Sequence, residues 1–140
     1  MKIGYEALLA EANASITALS PAEAAKLQGD PGVQFVDVRD VRELAREGLI
    51  PGALHAPRGM LEFWVDPASP YHKPVFASGK RFVFYCAAGW RSALATYTVQ
   101  RMGLAPVYHL EGGFTAWREA GLPVAPLETP APKSEPRDGG

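Results

Sequence analysis

Short apolar runs alternate with amphipathic segments along most of the chain. β-branched and aromatic residues cluster in runs too short for a helix, which predicts strands at residues 33–38, 53–56, 81–86 and 106–110. Helical spacing of apolar residues, or a capping residue followed by proline, predicts helices at residues 5–14, 21–27, 42–47, 91–102 and 114–120. This alternation predicts an α/β fold with a mainly parallel central sheet and helices on both of its faces.

Two segments depart from this alternation. Residues 57–79 contain four prolines and several aromatic residues, so they are long for a loop and aromatic for a solvated one. We predict an irregular segment that covers part of the domain. The residues after 126 are rich in proline and charge and lack apolar periodicity. The expected organisation is a helical extension at 1–14, one domain at 15–126 and a disordered tail at 127–140.

The composition is that of a domain with its own core. With 140 residues, 47% of them apolar, the chain can bury a core without metals or disulfides. One cysteine excludes an internal disulfide, and three separated histidines lack metal-ligand spacing, so we expect neither metal nor cofactor. Lys and Arg are dispersed and the net charge is -1, which argues against nucleic-acid binding. The first residues do not resemble a signal peptide and no long apolar run follows, so we expect no membrane association and a cytoplasmic location.

The strongest candidate for chemistry is the segment around Cys86, which ends a predicted strand just before a predicted helix. Ligands of open α/β sheets bind at this end of the strands. The small residues Ala87, Ala88 and Gly89 allow a tight curl that points successive amide N–H groups at the sulfur. The N-terminus of the helix beginning near Arg91 adds positive potential. Both effects favour the nucleophilic thiolate, whereas a cysteine that only packs in the core is the alternative.

Several motifs follow one another in the sequence. They are Asp37-Val38-Arg39 with Glu43, Gly48-Leu49-Ile50-Pro51-Gly52-Ala53 with Pro57, Cys-x-x-Gly-x-Arg-Ser from Cys86, Glu111-Gly112-Gly113-Phe114 with Trp117, and Gly121-Leu122-Pro123-Val124. Each is weak alone, but the ordered series around a strand-end cysteine resembles the rhodanese family of sulfurtransferases over residues 19–124. The resemblance implies a rhodanese-like domain with three layers, α/β/α.

The resemblance also implies a reaction. The Cys86 thiolate takes the outer sulfur of a small anion such as thiosulfate and holds it as a persulfide, which an acceptor then removes. The persulfide would be bound by the loop residues Ala87, Ala88, Gly89, Trp90 and Arg91, whose N–H groups act like an oxyanion hole. Because the sequence has no second cysteine, the acceptor must be another molecule, such as cyanide, a small thiol or a partner protein.

Two arginines are candidates for contact with the donor anion. Arg91 has two open roles, either contact with the sulfonate of a donor or an ion pair with Glu43 that fixes the shape of the loop. Arg58 is a candidate second contact for the anion, and a solvated surface arginine is the alternative. No catalytic role is expected for the histidines, which are His55, His72 and His109.

The remaining candidates are aromatic or structural. Phe63 and Trp64, together with Trp90, are candidates for a pocket wall that excludes water from the persulfide, with core packing as the alternative. Asp37 and Arg39 are expected to support the structure, Asp37 by bracing the backbone near the strand end and Arg39 by pairing with an acid. Loss of either should therefore affect folding first.

Two other functions fit parts of the sequence. A phosphatase family related to the rhodaneses has a Cys-x5-Arg loop that surrounds phosphate, whereas Cys86 to Arg91 is Cys-x4-Arg and better sized for one sulfur. A rhodanese-like sulfur carrier or protein-binding module with little turnover of its own is the second alternative. Inactive members of the family commonly lack the loop cysteine, so Cys86 favours the sulfurtransferase.

Overall fold

The structure is a computed structural model that describes residues 1–128. Within this range the strands are Ala18–Leu19 (β1), Val33–Asp37 (β2), Leu54–His55 (β3), Arg81–Tyr85 (β4) and Val107–Leu110 (β5). They form one sheet in the order β1-β5-β4-β2-β3, and every pair of neighbours is parallel. The predicted α/β architecture with a parallel sheet is confirmed.

Helices connect the strands, as crossover connections between parallel strands require. Those of the described residues are Tyr5–Ser15 (α1), Pro21–Ala25 (α2), Val41–Glu47 (α3), Leu61–Val65 (α4), Trp90–Arg101 (α5) and Gly113–Glu119 (α6), with 3-10 turns at Arg58–Met60 and Pro74–Ala77. Ser20 and Glu23 form a reciprocal capping box at the start of α2, and Asp40 and Glu43 form another at the start of α3. Both helix starts therefore depend on local side-chain bonds that the sequence encodes.

The central strands are buried on both faces. Along β4, the side chains of Phe82 and Phe84 and the following Cys86 belong to one core cluster, whereas Val83 and Tyr85 belong to the cluster on the opposite face. Helices α4 and α5 contribute to the first cluster, and α2 and α6 contribute to the second. The sheet thus forms the middle of three layers, and Cys86 lies on the face that α5 covers.

Helix α1 packs on the outer side of α5. The Tyr97 hydroxyl donates to the Glu11 carboxylate at 2.8 Å, and the Gln100 side-chain amide donates to the Ser15 carbonyl at 2.8 Å. The N-terminal helix is therefore attached to the helix that begins at the cysteine loop.

The segment at residues 57–79 is more regular than predicted. It contains the helix α4 and both 3-10 turns. A helix of five residues is too short for periodicity to reveal, and its stability comes from tertiary burial of Leu61 and Val65. Strand β1 was also not predicted, because two residues carry no pattern of their own and pair with β5 only in the folded chain.

Part of the predicted tail, residues 129–140, lies outside the described residues. Within residues 1–128, no helix combines the length and the hydropathy needed to cross a bilayer.

Candidate active site

Cys86 follows the last residue of β4 and is almost completely buried, with 1% of its surface exposed. The chain then turns through Ala87, Ala88 and Gly89 into α5. Gly89 has φ +117°, a left-handed conformation that side-chain-bearing residues rarely adopt. The tight connection from strand to helix therefore depends on a glycine at this position, as the sequence predicted.

The sulfur of Cys86 is surrounded by hydrogen-bond donors. The backbone N–H groups of Gly89 and Ser92 donate to Sγ at 3.2 and 3.3 Å, and the Ser92 hydroxyl oxygen lies 3.4 Å from it. These amides belong to the start of α5, where backbone N–H groups have no acceptor within the helix. The geometry therefore places two N–H donors and the positive end of the helix dipole at Sγ.

The opposite side of the loop is held by the start of α6. The N–H groups of Phe114 and Thr115 donate to the carbonyls of Cys86 and Ala87 at 2.8 and 3.0 Å. This approach is so close that a Cβ on Gly113 would lie 2.5 Å from the Cys86 carbonyl oxygen. A glycine at position 113 therefore lets the start of α6 fix the backbone of the loop.

Arg91 forms a two-pronged ion pair with Glu43. Its guanidinium nitrogens lie 2.7 and 3.1 Å from the two carboxylate oxygens, which joins the start of α5 to the start of α3. The hydrogen bonds from Arg91 hold the pKa of Glu43 below its ordinary value, and the same contact raises the pKa of Arg91. Of the two roles open for Arg91, the structure shows the ion pair.

Trp90 is the most exposed aromatic residue of the loop, at 61%. Its ring packs against that of Tyr5 in α1, with 5.1 Å between centroids. Phe63 is also about half exposed, whereas Trp64 packs against the core cluster that contains Cys86 and has the Lys73 ammonium 4.7 Å above its ring. Trp90 and Tyr5 therefore form an aromatic pair beside the loop, and Trp64 is a core residue of the same face.

Arg58, the candidate second anion contact, points along α5. Its guanidinium lies 2.9 Å from the Glu62 carboxylate and 3.5 Å from the Thr98 hydroxyl. Thr98 is two helical turns beyond the first residue of α5. The structure thus pairs Arg58 with an acid of its own segment.

Asp37 and Arg39 form a fully buried ion pair at the end of β2. The Asp37 carboxylate accepts hydrogen bonds from the Arg39 backbone N–H at 3.0 Å and from its guanidinium at 2.8 Å. The guanidinium also donates to the Gly48 carbonyl and to Glu47, and it lies 4.3 Å above the Phe114 ring. The pair therefore connects the strand end to α3 and α6, which is the bracing role expected from the sequence.

The sequence did not indicate a role for His109, and the structure places it beside the site. His109 is 5% exposed on β5, opposite Phe84 of β4, and its Nδ1 lies 2.9 Å from the Ser92 hydroxyl oxygen. A polar residue at an inward-facing position near the end of a buried strand is the signal that could have identified it. His109 is thus linked to Cys86 through Ser92.

The family comparison agrees with this geometry. Residues 20–120 match the rhodanese-like domain family. An uncharacterized protein from Synechocystis sp. is 34% identical over 106 residues, which cover 76% of this chain and 54% of that protein. A tRNA uridine(34) hydroxylase from Cronobacter sakazakii is 32% identical over 114 residues, which cover 76% of this chain and 31% of the hydroxylase. The chain spans about half of the first relative and about a third of the second, so these matches concern one domain of longer proteins.

Two solved structures are similar over most of the chain. A Rhodopseudomonas palustris protein of unknown function, described as a possible tyrosine phosphatase, has a TM-score of 0.87 and 56% identity, covering 89% of this chain and 96% of its own. The polysulfide-sulfur transferase homodimer of Wolinella succinogenes has a TM-score of 0.66 and 33% identity, covering 88% of each chain. The ordered motifs, the cysteine loop and the family match agree, and the chain belongs to the rhodanese family.

Proposed function

We propose that this protein is a sulfurtransferase that moves sulfane sulfur from a donor such as thiosulfate to a thiophilic acceptor through a persulfide on Cys86. The observation that carries the proposal is the pair of backbone N–H groups, from Gly89 and Ser92, that donate to the buried sulfur. They stabilise the attacking thiolate, and their position at the start of α5 also suits the charge of a persulfide.

The reaction has two balanced steps. The Cys86 thiolate attacks the outer sulfur of thiosulfate, the S–S bond of the donor breaks, and sulfite leaves with the bonding electron pair. The product is an anionic persulfide. A nucleophile such as cyanide or a thiolate then attacks the outer sulfur of the persulfide, and the Cys86 thiolate is regenerated as the leaving group. Such a sequence gives ping-pong kinetics.

The acceptor must come from outside the chain. Cys86 is the one cysteine of the sequence, so no second thiol can resolve the persulfide as an internal disulfide. We place the reaction in the cytoplasm, where reducing conditions keep a lone thiol free. The burial of Cys86 suits a persulfide carrier, since limited contact with water slows oxidation of the outer sulfur.

The loop length supports sulfur over phosphate as the transferred group. Four residues separate Cys86 from Arg91, and the Arg91 side chain is held by both carboxylate oxygens of Glu43. Two of the five guanidinium N–H donors of Arg91 are thus engaged by an acid. In our proposal the Arg91–Glu43 pair fixes the shape of this short loop.

Intact-protein mass spectrometry tests the proposal directly. After incubation with thiosulfate, the protein should gain the mass of one sulfur atom, and peptide mapping should place it on Cys86. Addition of cyanide should remove the mass and release an equal amount of thiocyanate. Cys86→Ser is the control, because it keeps the size of the side chain and removes the nucleophile.

Two results would reject the proposal. One is the absence of a persulfide with thiosulfate and also with polysulfide. The other is turnover that the Cys86→Ser variant retains. Hydrolysis of p-nitrophenyl phosphate that depends on Cys86, without sulfur transfer, would favour the phosphatase instead.

A further inference from the structure

A buried chain of hydrogen-bonding groups leads away from the Cys86 sulfur. Sγ lies 3.4 Å from the Ser92 hydroxyl oxygen, which lies 2.9 Å from Nδ1 of His109. All three residues are at most 5% exposed. The other acceptor near this hydroxyl is the Gly89 carbonyl at 3.5 Å, the outer limit of a hydrogen bond. The shorter distance makes His109 the principal partner of Ser92.

His109 also borders an open groove on the surface. The groove is lined by residues of α1, β1, the cysteine loop and the end of β5, which are Asn13, Ala18, Ala88, Gly89, Trp90, His109, Glu111 and Gly112. The charged or titratable groups that face His109 are Glu111 of the groove and Cys86 through Ser92, whereas α1 and β1 contribute the uncharged Asn13 and Ala18. His109 thus joins the buried sulfur to a place where protons can exchange with water.

We propose that His109 is a positioning residue that, through Ser92, directs a hydrogen bond to the Cys86 thiolate and carries its proton to the groove. This inference rests on the proposed function, because the thiolate is the form that attacks the donor. It gives a role to Ser92, the last residue of the loop motif, and to His109, which lies outside the motifs.

The proton balance follows from the two tautomers of a neutral imidazole. In the thiol state the Cys86 S–H donates to Ser92 Oγ, and the Ser92 O–H donates to Nδ1 of a ring that is protonated at Nε2. To form the thiolate, the sulfur proton moves to Oγ, the Oγ proton moves to Nδ1, and the Nε2 proton leaves to water in the groove. The Nδ1–H then donates to Oγ, and the Ser92 O–H donates to the thiolate.

This exchange requires a ring that is neutral near pH 7. Burial lowers the pKa of His109, and the charge of Glu111 opposes this only in part. The ring can therefore change tautomer without retaining a second proton.

The test follows the alkylation of Cys86 by iodoacetamide across pH, together with the ultraviolet absorbance of the thiolate. His109→Ala removes the partner that orients Ser92, and the hydroxyl can then turn from the sulfur to the Gly89 carbonyl. The pH midpoint of both signals should therefore rise by up to about one pH unit, as expected when one hydrogen bond to a charged group is lost. His109→Asn can still donate an amide N–H to Ser92, so the midpoint should return close to that of the wild type. His72→Asn, a histidine bonded to the Trp64 carbonyl in another segment, is the matched control and should change neither signal.

Ser92→Ala provides the second arm. It should raise the midpoint as His109→Ala does, and the double variant should shift no further than either single variant, because both changes break the same chain. Unchanged midpoints in His109→Ala and Ser92→Ala would overturn the inference. Additive shifts in the double variant would do so as well, since His109 would then act independently of Ser92.

The assay separates this inference from the proposed function, because alkylation requires no sulfur donor. A persulfide that forms with thiosulfate while His109→Ala leaves the midpoint unchanged would reject only the role of His109. A shifted midpoint without any persulfide would reject only the sulfurtransferase. If His109→Ala does not fold, His109→Leu replaces it, because leucine fills the buried space without offering Ser92 a hydrogen-bonding partner. Its midpoint should rise as that of Ser92→Ala does, and an unchanged midpoint would reject the role of His109.

Discussion

Asp37→Asn tests whether the buried ion pair at the end of β2 is structural. Asparagine keeps the size of the side chain and removes its charge. The Arg39 guanidinium would remain completely buried, with Glu47 at 3.1 Å as its nearest acid. Glu47 is about one third exposed, so it compensates the buried charge less effectively than Asp37 does.

The expected loss of stability follows from these contacts. Removal of one partner from a buried ion pair costs about 3–5 kcal/mol, because the other charge stays in a medium of low polarity. In Asp37→Asn the Arg39 guanidinium keeps Glu47 as an acid partner and the side-chain carbonyl of asparagine as a hydrogen-bond acceptor. The expected loss of stability is therefore near the lower end of this range, at about 3 kcal/mol. The total free energy of unfolding of a domain of this size is about 5–15 kcal/mol, so the variant should lose a large fraction of its stability.

Urea unfolding followed by circular dichroism measures this loss as a lower midpoint at unchanged m value. The double variant Asp37→Asn/Arg39→Met removes both charges, and it should lose less stability than the sum of the two single variants. Persulfide formation per folded molecule should stay at the wild-type level in Asp37→Asn. A loss below about 1 kcal/mol, or strict additivity in the double variant, would refute the structural role.

Two further predictions concern charged residues near the loop. Because Arg91 holds the pKa of Glu43 below its ordinary value, their ion pair contributes stability at neutral pH that is lost as the pH falls through the lowered pKa. Glu43→Gln should therefore lower the free energy of unfolding at pH 7, by less than about 1 kcal/mol because the pair is partly exposed. Thermal unfolding measured across pH should show that this difference from the wild type disappears in acid. Arg58→Ala should raise the KM for thiosulfate in steady-state assays without lowering kcat, because the variant removes a candidate contact for the donor anion. An unchanged KM would limit the role of Arg58 to its ion pair with Glu62.

Local sequence signals were sufficient to predict most of the secondary structure. The central strands are buried on both faces, so short apolar runs identified β2, β4 and β5, and capping residues identified the starts of α2 and α3. The failures were elements with little local signal. Strand β1 exists through its pairing with β5, and α4 is stabilised by burial of its apolar side chains against the core.

The reactive centre was predictable because it is continuous in sequence. Cys86, the small residues after it and the start of α5 lie within one short segment, so the chain itself specifies a thiol at the N-terminus of a helix. The glycine with positive φ in this loop is also a local requirement. The sequence by itself therefore identified the candidate nucleophile and its position at the start of a helix.

Tertiary structure decided which distant residues support that atom. The partner of Arg91 is 48 positions away in the sequence, and the Ser92–His109 contact joins a helix to a neighbouring strand. The family resemblance offered Glu43 as one of two possible partners of Arg91, and the structure decided between them. No sequence signal pointed to His109, because spacing alone does not distinguish it from the other two histidines. Parallel strand order and helix packing selected Glu43 and His109 by bringing their segments to the same end of the sheet.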